Sequence, residues 1–244
     1  MRIIKSETIT ETIKELCIKG ACHLPTDVYN RLLEAISTED SPVSKHTLEI
    51  LKENADIAAS NQEPICQDTG MACIFVEIGQ EVYVDGNLTE AINEGVRQGY
   101  VDGYLRKSVV KDPIYRENTN DNTPAIIHYS IVPGDRVRIT VAPKGFGSEN
   151  MSRVFMLKPA DGVEGVKNAI LTAVKDAGPN ACPPMVVGVG IGGTFEKMCI
   201  DGEESIRTIF LYQNIRRYCL GTGTVIADLH PVRVLRQPCF TSAS

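Results

Sequence analysis

Ala72-Cys73-Ile74-Phe75-Val76-Glu77-Ile78, closed by Gly79, is the stretch that decides the fold. Upstream of it the apolar pattern has helical period. From it onward, strand-like runs and helices are interspersed. The run is short and rich in β-formers, and Glu81-Val82-Tyr83-Val84 follows across the glycine, so the pair predicts a hairpin. On the N-terminal side, Ile9, Ile13, Leu16 and Cys17 share one face at helical spacing. A second helix is predicted from Thr26, an acceptable N-cap, with Val28, Leu32, Leu33 and Ile36 on its apolar stripe. A third follows Pro42 and carries Leu48, Leu51, Ala55 and Ala58, and Pro64 ends the helical region.

On the C-terminal side, Leu88 to Lys107 predicts a long helix with Ile92 and Val96 inward. Gly95, Gly99 and Gly103 recur at every fourth position there, which lets another backbone approach one face closely at a cost in helix propensity. Ile126 to Ile131 and Arg136 to Ala142 predict strands joined by the turn sequence Pro133-Gly134-Asp135. Val163, Val166, Ile170, Leu171 and Val174 mark a further helix stopped by Gly178-Pro179, and Met185 to Val189 reads as a buried strand. The expected fold class is mixed α/β (α+β): a helical part over 1–63, then a mixed sheet with flanking helices over 64–198.

Of 244 residues, 43% are hydrophobic and 23% charged, as in an ordinary globular protein. A formal charge of −6 leaves no broad basic field, which argues against a general binder of nucleic acid or anionic membranes. The first charged residues run into amphipathic sequence rather than an apolar signal core, and no apolar run is long enough to span a bilayer, so the cytoplasm is the expected compartment. A reducing compartment makes a disulfide framework an unlikely use for eight cysteines. Buried small hydrophobes, metal ligands and a catalytic thiol remain.

Three loop segments carry the chemistry. Pro64-Ile65-Cys66-Gln67-Asp68-Thr69-Gly70 sets a thiol beside a carboxamide and a carboxylate on the way into a strand. Ala142-Pro143-Lys144-Gly145-Phe146-Gly147-Ser148-Glu149-Asn150 has glycines that permit positive φ and backbone N–H groups able to cradle an anionic oxygen. Asn180-Ala181-Cys182-Pro183-Pro184 is followed by a glycine string from Gly188 to Gly193. Two loop cysteines far apart in sequence are compatible with a shared metal and equally with two buried structural thiols, since the spacing fits no common zinc or ferredoxin pattern. The glycine string lacks the strand, helix and acidic residue of a dinucleotide fingerprint. Cys17, Cys22 and Cys73 read as core, and His23, His46 and His128 as structural.

Cys66-Gln67-Asp68-Thr69-Gly70 resembles the cluster-binding motif of class I, two-subunit fumarate hydratases, a family that includes L-tartrate dehydratase. Leu105-Arg106-Lys107-Ser108, Asp121-Asn122-Thr123-Pro124, Ala142-Pro143-Lys144-Gly145 with Gly147-Ser148-Glu149-Asn150, and Cys182-Pro183-Pro184 resemble further segments of it in the same order. The resemblance, which runs to about Met198, implies the α subunit of a hydro-lyase that hydrates fumarate reversibly to malate. Tartrate dehydration is the alternative. It implies a 4Fe–4S cluster held by three cysteines with one iron open, Cys66 and Cys182 being two of them. Gln67 and Asp68 then contact the substrate or its hydroxyl and serve as the catalytic candidates, Arg106 grips a carboxylate, and Gly147 gives a backbone contact. The structural alternatives are a helix-end cation for Arg106 and a turn cap for Asp68. The resemblance also implies a separate β subunit in a hetero-oligomer, which supplies further basic residues, and a small dicarboxylate as substrate. It implies no activity from this chain alone.

The match stops at Cys199. There the family continues with an Ala/Leu/Lys-rich helix and, later, a histidine segment and the third cysteine. Back-translated and read one base later, the codons for Cys199 to Ile206 yield Ala-Leu-Met-Ala-Lys-Lys-Ala-Leu. Residues 199–244 are therefore expected to be an aberrant tail, read in a shifted frame or disordered. Cys219, Cys239 and His230 lack the flanking residues of the missing segments, so the third ligand is absent in this reading, and an inactive product is the remaining alternative.

Overall fold

The apolar run at residues 72–78 becomes the inner strand of a sheet in a computed structural model. The structure describes residues 1–182 and 185–206 and the short strands Asp228–Leu229 and Leu235–Arg236. Two compact units form, one of Met1–Lys144 with Arg233–Ser244, the other of Gly145–Val232.

The first unit begins with β1 (Arg2–Lys5) and the helices α1 (Ser6–Cys22), α2 (Thr26–Thr38) and α3 (Pro42–Asn61). The face of α1 read from the sequence is buried: Ile9, Ile13, Leu16 and Cys17 are at most 1% exposed. Full burial of each such aliphatic chain contributes about 1.5–3 kcal/mol. Burial also pushes the Cys17 thiol up to about 12. Ser41 caps α3 by accepting from Ser44 N–H, with Pro42 in its first turn. The stripe expected on α2 is only partly covered: Leu32 is buried, Val28 and Ile36 are half-buried and Leu33 is exposed.

Next come β2 (Met71–Gly79), β3 (Val82–Asp85), α4 (Leu88–Asp102), β4 (Ile126–Val132) and β5 (Val137–Lys144). The glycine repeat does what its spacing predicted. A Cβ on Gly95 would lie 2.6 Å from Thr10 O and one on Gly99 2.8 Å from Cys17 Cβ, so α1 and α4 meet backbone to backbone. Helix α4 is shorter than expected. It stops at Gly103, Tyr104 takes a left-handed φ of 52°, and 105–107 lies beyond the helix.

Neither expected hairpin forms. The strand order is β4-β2-β5-β8, with β8 at Leu235–Arg236, so β2 stands between the two strands that Pro133-Gly134-Asp135 joins. It pairs with β4 in parallel and with β5 antiparallel. The turn crosses the end of β2, where Gly79 N–H donates to Arg136 O and Gln80 N–H to Val132 O. A Cβ on Gly79 would sit 2.2 Å from Gly134 O, so only glycine passes under that turn. Strand β3 instead pairs in parallel with β1, a strand the sequence reading took for part of a helix. Inner position explains the composition of β2. Ala72, Ile74 and Val76 enter the main core and Cys73 and Phe75 a second cluster on the opposite face, so it is apolar on both sides.

The second unit contains α5 (Phe146–Glu149), α6 (Gly162–Ala177), β6 (Val187–Gly188), α7 (Phe195–Ile206) and β7 (Asp228–Leu229). Helix α6 ends at Gly178, φ 47°, as its sequence predicted, and buries Val166, Ala169, Ala173 and Ala177, while Leu171 is exposed. The strand expected over Met185 to Val189 shrinks to Val187–Gly188, paired with β7. Helix α7 continues through Ile206, past Met198, where the sequence reading ended the family resemblance. Residues 207–227, 230–234 and 237–244 of the tail, with Cys219, His230 and Cys239, lie outside the described residues. Among the described residues no helix is long and apolar enough to cross a membrane.

Candidate functional site

In the first unit, four of the motif segments converge at the start of β2. Thr69 is buried and its hydroxyl donates to Arg106 O at 3.0 Å, which joins the Cys66–Gly70 loop to the Arg106 segment. Tyr100, 1% exposed on α4, donates its phenol to Thr69 O at 3.0 Å. Asn122 is fully buried with φ 63°. Its carboxamide donates to Gly70 O at 3.0 Å and accepts from Ser108 N–H at 2.7 Å and Val109 N–H at 3.1 Å. Lys144, at the end of β5, pairs in register with Met71, one residue after Gly70, and is nearly buried.

Within the loop, Asp68 N–H donates to Cys66 Sγ at 3.4 Å, and the thiol donates to Gln67 Oε1 at 3.2 Å. Asp68 Oδ1 accepts from Gly70 N–H at 3.1 Å, which orients the carboxylate and also makes the turn cap foreseen as its structural alternative. Cys66 and Asp68 are half-buried and Gln67 is exposed. Arg106 is exposed, and among the described residues its guanidinium has no hydrogen-bond or ion-pair partner. It lies beyond the end of α4, not on it. The Ser108 hydroxyl is buried and makes no hydrogen bond among the described residues.

Asp121 is held below the ordinary carboxylate value: burial raises it, and the N–H and hydroxyl of Thr123 with the Thr119 hydroxyl outweigh that. Glu94 on α4 falls to about 2 because Arg97 forks onto it and Gln98 adds a bond. Among the described histidines, His128 stacks on Phe75 at 4.9 Å and His46 is exposed.

In the second unit, Cys182 is exposed and takes φ 55°, ψ 66°, a left-handed conformation that costs an L-residue roughly 1–2 kcal/mol. Its N–H donates to Pro179 O at 3.2 Å, closing the 3-10 turn Gly178–Ala181. Gly147 packs on this turn: a Cβ there would lie 3.7 Å from Asn180 O. Contrary to expectation, neither Gly145 nor Gly147 uses positive φ, because β5 runs through Lys144 and the next residues form one turn of helix.

Cys66, Gln67, Asp68 and Arg106 are thus brought together in the first unit, and Gly147 and the Cys182 turn in the second. Sequence reasoning did not single out Asn122, Tyr100 or Thr69 as organisers. The available signal was Asn122 itself, a residue type that tolerates left-handed φ, inside a motif. Among the described residues no group of three His, Cys, Asp or Glu side chains is placed to hold a metal ion, and Cys17, Cys22, Cys66, Cys73, Cys182 and Cys199 form no disulfide.

Residues 10–216 match the family model described as Fumarate hydratase (Fumerase). The chain is 43% identical over 193 residues to "Putative L(+)-tartrate dehydratase subunit alpha" of Methanocaldococcus jannaschii, an alignment covering 76% of this chain and 67% of that one. It is 30% identical over 203 residues to L(+)-tartrate dehydratase subunit alpha of Escherichia coli strain UTI89, covering 81% and 66%, and 29% identical to the same subunit of strain K12 with the same coverage. The matched part therefore spans about two thirds of these relatives.

Proposed function

The chain belongs to the fumarate hydratase (Fumerase) family, and on that premise we propose that it is the α subunit of a two-subunit, 4Fe–4S-dependent hydro-lyase acting on a small dicarboxylate. Fumarate hydration to malate is the first substrate reading. L(+)-Tartrate dehydration is the second, favoured by the names its relatives carry. The observation that carries the proposal is the Thr69–Arg106 hydrogen bond, which fastens the loop bearing a thiol, a carboxamide and a carboxylate to the segment that presents the exposed Arg106 guanidinium.

The donor set fits thiolate ligation as far as it goes. Cys66 and Cys182 are outside any disulfide and neither is buried, and a backbone N–H points at Cys66 Sγ, the kind of donor that cluster-bound sulfur accepts. Each unit offers one such thiol, and among the described residues no group of three His, Cys, Asp or Glu side chains is placed to hold a metal ion. When bound, an iron with open coordination positions polarises carboxylate and hydroxyl oxygens as a Lewis acid. The protein's own groups do the rest. Arg106 forks onto a carboxylate and fixes the diacid as a lysine point charge does not. Ligation of a cluster by Cys66 would release its thiol proton to solvent and with it the hydrogen bond to Gln67 Oε1, which would leave the Gln67 carboxamide available to a substrate oxygen. Asp68, held through Oδ1, exchanges a proton at the hydroxyl oxygen of the substrate or at water. Gly147 offers its backbone to the substrate. A β subunit contributes the base for the carbon-bound proton.

The test is anaerobic reconstitution of the full chain with a β subunit of this family and iron and sulfide, assayed on fumarate, malate and L(+)-tartrate. The expected outcome is turnover of a diacid by the pair and none by this chain alone. Turnover by the purified chain without a partner overturns the split-site reading. A pair that binds a cluster and turns over no diacid overturns the functional one.

A further inference from the structure

We propose that Asn122 is a positioning residue that holds the Cys66–Gly70 loop and the Arg106–Val109 segment at one fixed separation, working through both halves of a single carboxamide. Asn122 is 0% exposed, so its amide has no water to fall back on. The NH2 end donates to Gly70 O at 3.0 Å, on the loop that carries Cys66 and Asp68. The oxygen end accepts two backbone donors at once, Ser108 N–H at 2.7 Å and Val109 N–H at 3.1 Å, directly after Arg106. One rigid, planar group therefore touches both sides of the candidate site. The backbone is adapted to it: φ is 63°, a conformation that asparagine tolerates and most residues do not. The surrounding loop is fixed independently, by Thr123 N–H on Asp121 Oδ1 and by Ala125 N–H on Asn93 Oδ1 of α4 at 2.9 Å, so the carboxamide is not carrying its own segment. Tyr100 braces the Cys66–Gly70 loop from α4, and Thr69 of that loop reaches Arg106 O, neither touching Ser108 or Val109.

The role differs from that of a packing residue because its two ends are separable. Asn122→Asp keeps an acceptor for Ser108 and Val109 and, as a carboxylate, loses the donor for Gly70. Asn122→Gly accepts φ 63° without strain and loses both. Each substitution tolerates the backbone conformation, so the pair isolates the side chain. The readout is amide hydrogen exchange in the full chain, followed at Asp68 and Gly70 for one loop and at Ser108 and Val109 for the other. In Asn122→Asp, Asp68 and Gly70 exchange about 10–100-fold faster while Ser108 and Val109 keep their protection. In Asn122→Gly all four accelerate. The turn at Cys182, in the other unit, keeps its wild-type exchange in both. Wild-type exchange at Asp68 and Gly70 in Asn122→Gly overturns the proposal, as does uniform acceleration across both units. Should Asn122→Asp fail to fold, the Asn122→Gly result decides alone.

This inference rests on the hydro-lyase reading for its consequence, which is a rise in KM for the diacid of about tenfold with a smaller change in kcat in the reconstituted pair. The two failures are distinct. Unchanged exchange overturns the positioning role whatever the substrate is. Altered exchange, with no diacid turned over by the wild-type pair, overturns the functional reading and leaves the positioning role standing.

Discussion

Cys66 and Cys182 are both loop cysteines in family motifs, yet the two units hold them by different physics. The Cys66 loop is tied down: Thr69 is buried and donates to Arg106 O, Tyr100 donates to Thr69 O, and Asn122 donates to Gly70 O. Its precision comes from side chains reaching in from 30 and more residues away in sequence. The Cys182 turn is perched. Its backbone N–H bonds locally, to Pro179 O, and the cysteine sits in a left-handed conformation while exposed. A buried, cross-linked loop holds its geometry against solvent, whereas a strained exposed turn stores energy that a bound ligand has to offset.

The largest test strikes the scaffold behind the tied loop. Gly95→Ala gains about 0.8–1 kcal/mol of helix propensity, but its Cβ would lie 2.6 Å from Thr10 O and from Ile13 Cβ. Overpacking against a backbone oxygen falls at the upper end of about 1–3 kcal/mol and wins, so denaturant titration should show a net loss of about 2 kcal/mol. Amide exchange should accelerate through α1 and α4 and leave α6 unchanged. Equal acceleration in α6 would erase the distinction between the units.

Thr69→Val is the next in size. It keeps the volume and leaves Arg106 O without its donor, which should lower stability by about 1–2 kcal/mol by thermal or chemical unfolding. The smallest effect belongs to the perched turn. Cys182→Gly relieves roughly 1–2 kcal/mol of left-handed strain and loses about 0.5–1 kcal/mol to the entropy of glycine. Stability should therefore stay level or rise by up to ~1.5 kcal/mol, although a proposed thiolate ligand has gone. A clear loss of stability would mean that the Cys182 side chain is itself packed.

Period and composition made α1, α6 and the position of β2 readable, because helix faces and doubly buried strands leave local marks such as Ile9-Ile13-Leu16 and Ala72 to Val76. Pairing left none. Pro133-Gly134-Asp135 is a turn in both readings, but nothing local reports that β2 lies between the strands it connects. Only Gly79, which admits Gly134 O to within 2.2 Å of where a Cβ would be, records the crossing. Strand β1 escaped notice because Arg2–Lys5 is too short to show a period, and its partner β3 lies some 80 residues away. The site followed the same rule. Motifs named Cys66, Gln67, Asp68 and Arg106, and the Thr69 bond joins two of those motifs. The Asn122 carboxamide reads from sequence as one more turn residue, since its three partners come from two distant segments.

The close seam between α1 and α4 has a consequence for how the chain is made. Ser6–Cys22 leaves the ribosome well before Leu88–Asp102, whose glycines are shaped to receive it. At synthesis rates of about 5–20 residues per second, the interval is roughly 4–16 seconds. Throughout it, the face of α1 that bears Ile9, Ile13 and Leu16 lacks the helix that covers it, and the nascent chain is a client for any chaperone that recognises bare aliphatic stripes.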